Sequence, residues 1–436
     1  MGSFSRWREK AGDEGDSVRL ATLTPTLSRW RERAQRRGEL MAIEGSNKTG
    51  AAPRRIRLGM VGGGQGAFIG AVHRIAARLD DRYELVAGAL SSDAARAAAS
   101  AAELHIAPDR AYADFAEMAR REAAHGDGID AVSIVTPNHL HARIATAFLD
   151  AGIHVICDKP MTTNLADALA LVQSVKKSGQ IFALTHNYSG YPMVRQAREM
   201  VASGELGEIR VVQAEYPQDW LSTELEASGQ KQAAWRVDPA QAGAGGSLGD
   251  IGTHAEHLAR FISGLTLSQV SADLTTFVPG RRLDDNAHIL LRYTSGARGM
   301  LWSSQVAPGN ENALRVRLYG TKAGLAFSQE HPNQLWFTPL GGQPRLISRG
   351  GAGTGAAAAR ATRIPPGHPE GYLEGFAQLY RDVAEQITAR WEGRAPDPLA
   401  CWVPTVEDGA LGVKFVEAVV ASSRADGRWT DARLSL

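Results

Sequence analysis

The stretch Val61-Gly62-Gly63-Gly64-Gln65-Gly66-Ala67-Phe68-Ile69-Gly70 crowds glycines directly behind an apolar run. Upstream, Ile56, Leu58, Met60 and Val61 mark a short buried strand. Downstream, Phe68, Ile69, Val72, Ile75 and Leu79 recur at helical spacing. The glycines therefore occupy a strand-to-helix turn. Gly62, Gly64 and Ala67 fit G-x-G-x-x-[G/A], in which the first position permits a tight turn, the second lets backbone approach a pyrophosphate, and the third lets helix pack on strand. Amide N–H groups at the helix start would then face the phosphates. Gln65 and Phe68, in the same turn, complete this candidate set.

Working outward, strand-like and helix-like segments alternate as a parallel α/β unit requires. Tyr83–Leu90 reads as a second strand and Asp93–Leu104 as an alanine-rich helix. Ile129–Val135 is nearly all apolar, as expected of a strand covered on both faces. His139–Ala151 follows as a helix, His154–Cys157 as a strand, a helix capped by Asn164 runs to about Lys177, and Gln180–Leu184 returns to the sheet. The expectation is a doubly wound dinucleotide domain over residues 55–184. Residues 185–436 read as an α+β substrate domain with a mostly antiparallel sheet, carrying Arg210–Gln218, Ala287–Tyr293 and Leu314–Tyr319 as strands. Helices are expected at Pro192–Ala202, Thr253–Ile262, Pro369–Trp391 and Thr405–Ser422, and a mobile loop at Gly350–Ala361. Residues 1–54 read as a poorly structured extension: SRWRE occurs twice in Arg-rich text without core periodicity, and Met41 reads as the natural start.

The 436 residues suffice for two domains. With 48 basic against 47 acidic residues the net charge is +1, which offers no long-range field for nucleic acid or an anionic membrane. Two cysteines, Cys157 and Cys401, make neither a disulfide framework nor a zinc-finger spacing, so a metal is not expected and a reducing cytoplasm is. No apolar run approaches bilayer length and no secretion signal is recognisable.

Several constellations carry chemistry. The second strand ends at Ser91-Ser92-Asp93, where a carboxylate would select the adenine-ribose hydroxyls of NAD. Ser91 holds that position, while Ser92 and Arg96 could bind a 2′-phosphate, and Asp93 reads equally as a helix cap. NAD and NADP both stay open. Thr136-Pro137-Asn138-His139 and Cys157-Asp158-Lys159-Pro160 lie at carboxyl ends of strands, where open sheets bind ligands; His141 is polar without an evident structural reason. By composition alone Lys159 reads as a surface lysine. In GGSLGDIGTHAEHL, Asp250, His254 and His257 recur at i, i+4, i+7 and would share a helix face. An Asp one turn before a His can orient its ring as a general base, and a zinc reading of the same three residues also exists. Thr185-His186-Asn187-Tyr188, Trp235-Arg236-Val237-Asp238 and Gly367-His368-Pro369-Glu370-Gly371 mix rings with polar groups as sugar sites do.

Taken together and in this order, VGGGQGAFIG, TPNHLH, CDKP and GDIGTH resemble the glucose-fructose oxidoreductase/inositol dehydrogenase (Gfo/Idh/MocA) family from about Arg55 to the C-terminus. The resemblance implies a Rossmann domain followed by a domain whose open sheet serves as an oligomer interface, giving a homodimer or homotetramer. It maps the family's EKP lysine onto Lys159, with Asp158 in place of the usual Glu, and the family's D-x-x-x-H pair onto Asp250 and His254. The mechanism implied has His254 taking a hydroxyl proton while hydride passes to nicotinamide, Lys159 polarising the oxygen and Asp250 orienting the base. Tyr188, Trp235, Arg236, His257 and His368 are the candidates for contacting substrate, with Arg236 alternatively pairing an anionic group. Three activities fit: a dehydrogenase of a sugar, glycoside or cyclitol; an oxidoreductive glycosidase that regenerates its cofactor; and a non-catalytic nucleotide sensor.

Overall fold

The structure is a computed structural model, described here for residues 54–228 and 238–436. Five strands, β1 (Ile56–Gly62), β2 (Tyr83–Ala89), β3 (Ala131–Val135), β4 (His154–Cys157) and β5 (Phe182–Leu184), form one parallel sheet in the order β2-β1-β3-β4-β5. β3 is buried at every residue, because helices cover both faces. On one face lie the helices Phe115–Ala124, His141–Asp150 and Leu165–Ser178, with Val406, Ala410 and Val413 arriving from the far end of the chain. On the other, helix Phe68–Leu79 packs beside helix Tyr372–Trp391, whose Phe376, Tyr380 and Val383 join the core under β1, β3 and β4. Asn164 caps its helix by accepting from the Asp167 amide at 2.9 Å, which satisfies a backbone donor the first turn would otherwise leave open. Asn138 opens a short 3-10 turn, Asn138–Leu140, and its side chain donates to the Ala242 carbonyl.

Nine further strands follow: β6 (Ile209–Pro217), β7 (Leu267–Thr275), β8 (Asn286–Tyr293), β9 (Arg298–Ser304), β10 (Arg315–Gly320), β11 (Ala323–Ser328), β12 (Gln334–Pro339), β13 (Arg345–Ser348) and β14 (Thr430–Asp431). They are ordered β13-β12-β11-β10-β6-β9-β8-β7-β14, all antiparallel except the central β6–β9 pair. Helices Pro192–Ala202, Thr253–Ser263 and Val406–Arg424 bury one face in a single large core. The opposite face alternates with it residue by residue. There Leu290, Met300, Tyr319 and Trp336 are 43–51% exposed.

The stretch Gly350–Ala361, expected as a mobile loop, ends instead in a buried helix, Ala356–Ala361, with Ala357, Ala358 and Ala361 fully enclosed. Small side chains that look like loop composition are what let this helix dock on Pro192–Ala202. There Gln196 and Glu199 accept from the Gly355 and Ala357 amides. The helix expected from Pro369 begins at Tyr372, with Glu374 accepting from the Gly371 amide.

Candidate active site

The glycine turn leaves β1 with Gly62 at φ +81°, a left-handed conformation that favours glycine. A Cβ on Gly64 would lie 2.7 Å from the Leu90 carbonyl oxygen and 2.8 Å from Ser100 Oγ, so this backbone lies against its neighbours without side-chain room. The close helix-to-strand approach is made by Gly70, whose Cβ would fall 2.4 Å from Gly63 Cα. Ala67, expected to provide that contact, is instead the N-cap residue of the helix and lines the cleft. The first turn of helix Phe68–Leu79 has no side-chain cap and no acidic residue, which leaves its amides suited to an anion. The Gln65 amide bonds Ser100 Oγ at 3.1 Å, and Arg74, which the motif does not reveal, bonds the Gly63 carbonyl at 2.6 Å. At the end of β2, Ser91 is half-buried and Ser92 and Arg96 are exposed. Asp93 caps the next helix, accepting from the Arg96 amide at 2.7 Å.

From this turn a cleft of about 680 Å³ runs between the two sheets. Phe68, Thr136, Pro137, Asn138, Asp158 and Lys159 line one wall; Tyr188, Tyr216, Gln218, Trp220, Asn312, Gln329 and Tyr372 line the other; Asp250 and His254 lie at the junction. Thr136 Oγ1 is buried and has no hydrogen-bond partner among the described residues. Lys159 Nζ crosses the junction to donate to the Asp250 carbonyl at 2.8 Å and to its Oδ1 at 3.0 Å. Gln305 Nε2 donates to the other carboxylate oxygen at 2.9 Å. Asp250 sits in a π-helical turn, Leu248–Gly252, which runs straight into helix Thr253–Ser263. No hydrogen bond joins Asp250 to His254 among the described residues. The orienting bond expected from the i, i+4 spacing is replaced by the lysine and glutamine contacts.

His254 is buried against the edges of Tyr188 and His186, with ring centroids 4.9 and 5.4 Å away, and its Nδ1 has no partner among the described residues. Burial, then the nearby Lys159 ammonium and His186, push its pKa well below the ordinary imidazole value, so the ring is neutral near pH 7. Burial works the other way on Asp158. Its carboxyl is nonetheless held well below the usual carboxylate range by the neighbouring His73 imidazole, with the Lys159 ammonium and the Thr185 hydroxyl adding to this.

Residues 56–186 match the oxidoreductase family with an NAD-binding Rossmann fold, and residues 194–326 match the GFO/IDH/MocA C-terminal domain. The uncharacterized oxidoreductase YfiI of Bacillus subtilis is 33% identical over 384 residues, 86% of this chain and 96% of that protein. The chain belongs to the Gfo/Idh/MocA oxidoreductase family. An oxidoreductase from Sinorhizobium meliloti has a similar structure at 56% identity and TM-score 0.79, covering 86% of this chain and 99% of that one. An inositol dehydrogenase homolog from Azotobacter vinelandii, complexed with NAD+, reaches TM-score 0.83 at 37% identity, over 88% and 100%.

Within this Gfo/Idh/MocA chain, the cleft brings together Ala67, Phe68, Thr136, Pro137, Asn138, Asp158, Lys159, Tyr188, Asp250 and His254. Other candidates lie elsewhere. His141 is buried behind the wall, its ring nitrogens 2.8 Å from the Pro160 and Thr136 carbonyls, and it ties the two strand-end loops together. His257 stacks on His186 at 4.1 Å, the two rings nearly parallel and away from the cleft, because its position one turn beyond His254 turns it toward Phe261. His368 is exposed in a loop whose carbonyl receives the Arg349 guanidinium. Trp235 and Arg236 lie outside the described residues.

Sequence reasoning missed Tyr216, Gln218 and Asn312. They form one array, in which Tyr216 donates to Asn312 Oδ1 at 2.6 Å, Gln218 Nε2 donates to the same oxygen at 2.7 Å, and the Tyr188 and Tyr216 hydroxyls lie 2.6 Å apart. It missed Asp284 as well, which accepts from the Gly246 and Leu248 amides and so sets the turn that presents Asp250. No motif marks these positions.

Proposed function

We propose that the protein is an NAD(P)-dependent dehydrogenase that transfers hydride between nicotinamide and a hydroxyl-bearing carbon of a neutral sugar, glycoside or cyclitol. The observation that carries this is the junction itself: Lys159 Nζ, fixed by Asp250, and a neutral His254 face the same cleft. The residues at the glycine turn fit a dinucleotide: Gly64 leaves no room for a side chain, the helix start is uncapped, and the buried Thr136 hydroxyl lies in the cleft wall. Such a cofactor, when bound, supplies the hydride acceptor. The chain's own part is proton handling and orientation. His254, neutral near pH 7, accepts the hydroxyl proton during alcohol oxidation. Lys159 donates to the substrate oxygen, and Asp250 with Gln305 keeps the ammonium in place. The neutral array of Tyr188, Tyr216, Gln218 and Asn312 supplies donors and acceptors matched to ring hydroxyls, beside the Trp220 indole. Relatives named as a levoglucosan dehydrogenase, a D-xylose 1-dehydrogenase (NADP(+)) and a myo-inositol 2-dehydrogenase support this substrate class.

The test is absorbance at about 340 nm with NAD or NADP against inositols, aldoses and glucosides, beside chromatography of the products. Accumulating reduced cofactor supports the dehydrogenase and decides between NAD and NADP. Aglycone release without accumulation replaces it with the redox-neutral glycosidase, and silence in both channels favours a sensor. The open face of the nine-stranded sheet, with Leu290, Met300, Tyr319 and Trp336 exposed, pairs in this reading with a second copy. Sedimentation of the wild type against Leu290→Arg checks it, since a monomeric wild type would remove that pairing.

A further inference from the structure

Helix Tyr372–Trp391 presents Tyr372, Phe376 and Tyr380 at i, i+4 and i+8, one stripe that starts in the cleft and ends inside the dinucleotide sheet. There the Tyr380 hydroxyl lies 2.5 Å from Ser133 Oγ on β3 and 2.9 Å from Nδ1 of His73, a fully buried residue on helix Phe68–Leu79. The backbone carbonyl of Tyr380 also receives the Tyr83 hydroxyl at 2.8 Å, which ties this turn of the helix to β2. Phe376 packs on the His73 ring with centroids 5.1 Å apart. The imidazole's remaining nitrogen, Nε2, is buried without a hydrogen-bond partner among the described residues and faces Asp158 Oδ1 at 3.9 Å.

A ring whose Nδ1 meets a hydroxyl and whose Nε2 faces a carboxylate, an acceptor only, carries a proton on Nε2. Asp158 Oδ1 already accepts from Thr185 Oγ1 at 2.8 Å. Its other oxygen accepts no hydrogen bond from the described residues, and the residue lines the cleft beside Phe68, Thr136 and Asn138. We propose that His73, held by Tyr380 and Ser133, is a positioning residue that fixes Asp158 as the acceptor for a ribose hydroxyl at the cofactor end of the cleft. Asp158 is one methylene shorter than a glutamate, and the buried His73 imidazole stands with Nε2 3.9 Å from its Oδ1. The same contact ties the loop that carries Lys159 to the helix that begins at the glycine turn.

The two ring nitrogens can be separated by substitution. His73→Asn keeps a polar group near the Nδ1 position and removes the donor facing Asp158; His73→Gln restores a donor near Nε2. The readout is the Kd of NADH, measured by its fluorescence on the full-length protein, with Tm recorded alongside. His73→Asn is expected to weaken NADH binding roughly tenfold, as an unsatisfied buried partner does, and His73→Gln to recover most of that loss at a comparable Tm. Equal loss in both variants, or unchanged binding in His73→Asn, would overturn the assignment. Should His73→Asn fail to fold, Tyr380→Phe removes only the hydroxyl that orients the ring and is expected to weaken NADH binding several-fold; unchanged binding there overturns the assignment too. Because NADH binding is read without turnover, a protein that binds NADH normally but oxidises no sugar would sink the proposed activity and leave this inference standing.

Discussion

The two walls of the cleft are built in different ways. The wall on the dinucleotide sheet is assembled from three short segments, at Gly62–Phe68, Thr136–Asn138 and Asp158–Pro160, each directly following a parallel strand. The facing wall takes Tyr188, Tyr216, Gln218, Trp220, Asn312, Gln329 and Tyr372 from across nearly two hundred residues of chain, and they share one surface only because β6 pairs with β9 and β10. The first wall works largely through backbone, suited to a ligand that many proteins share. The second works through side chains, suited to a ligand that distinguishes one enzyme from another.

Substitutions can break this comparison at its junction first. His254→Ala is expected to lower kcat by roughly 10²–10⁴-fold while leaving the Kd of NADH unchanged; a parallel loss of NADH binding would place His254 on the cofactor side instead. Gly64→Ala puts a Cβ into the Leu90 carbonyl and Ser100 Oγ. Relieving that overlap by about 1–3 kcal/mol of backbone movement is expected to weaken NADH roughly 10–100-fold, with the KM for sugar little changed. Asn312→Ala should do the reverse, raising the KM for sugar by roughly tenfold with NADH binding intact, because it leaves the Tyr216 and Gln218 groups without their shared acceptor. If Gly64→Ala and Asn312→Ala moved both constants together, the two walls would not be separable.

The smallest effect is spread over both sheets. His154, His186, His254 and His257 are all lowered chiefly by burial, His154 to about 4. Each is neutral in the folded protein where the unfolded chain takes up a proton, so the stability present above the unfolded value of about 6.5 is lost as pH falls toward the folded values. The loss is at most about 1.4 kcal/mol per pH unit for each such histidine. Thermal unfolding from pH 7 to pH 5 checks this, and a Tm constant over that range would mean that the rings are protonated in the folded state. For the same reason alcohol oxidation should hold its rate below pH 6.5, since His254 remains a free base there.

What was legible in the sequence divides along the same line as the walls. Hydrophobic runs with strand-end turns announced the parallel sheet, since a strand covered on both faces must be apolar throughout, as β3 is. The glycine turn was legible because positive φ and lack of room for a Cβ are demands that one residue type answers. Even there the third contact went to Gly70, since the motif records spacing and not where the helix axis settles. Spacing placed Asp250 and His254 one turn apart. It could not show that Lys159, ninety-one residues away, would take the carboxylate, nor that His257 would turn into a stack with His186. The Gly/Ala text of residues 350–361 looked like a loop because its burial depends on a groove made by another helix.

By itself, then, the sequence determined what is local: the order of strands and helices, the turn at Gly62–Ala67, and the residue types available for proton transfer. The tertiary structure alone decided which partner each polar group received. A carboxylate or an imidazole has several chemically equivalent partners available in the sequence, and only packing at ångström distances selects among them. Asp250 went to Lys159 and Gln305, Asp158 to Thr185 and the Nε2 edge of His73, and Tyr216 to Asn312.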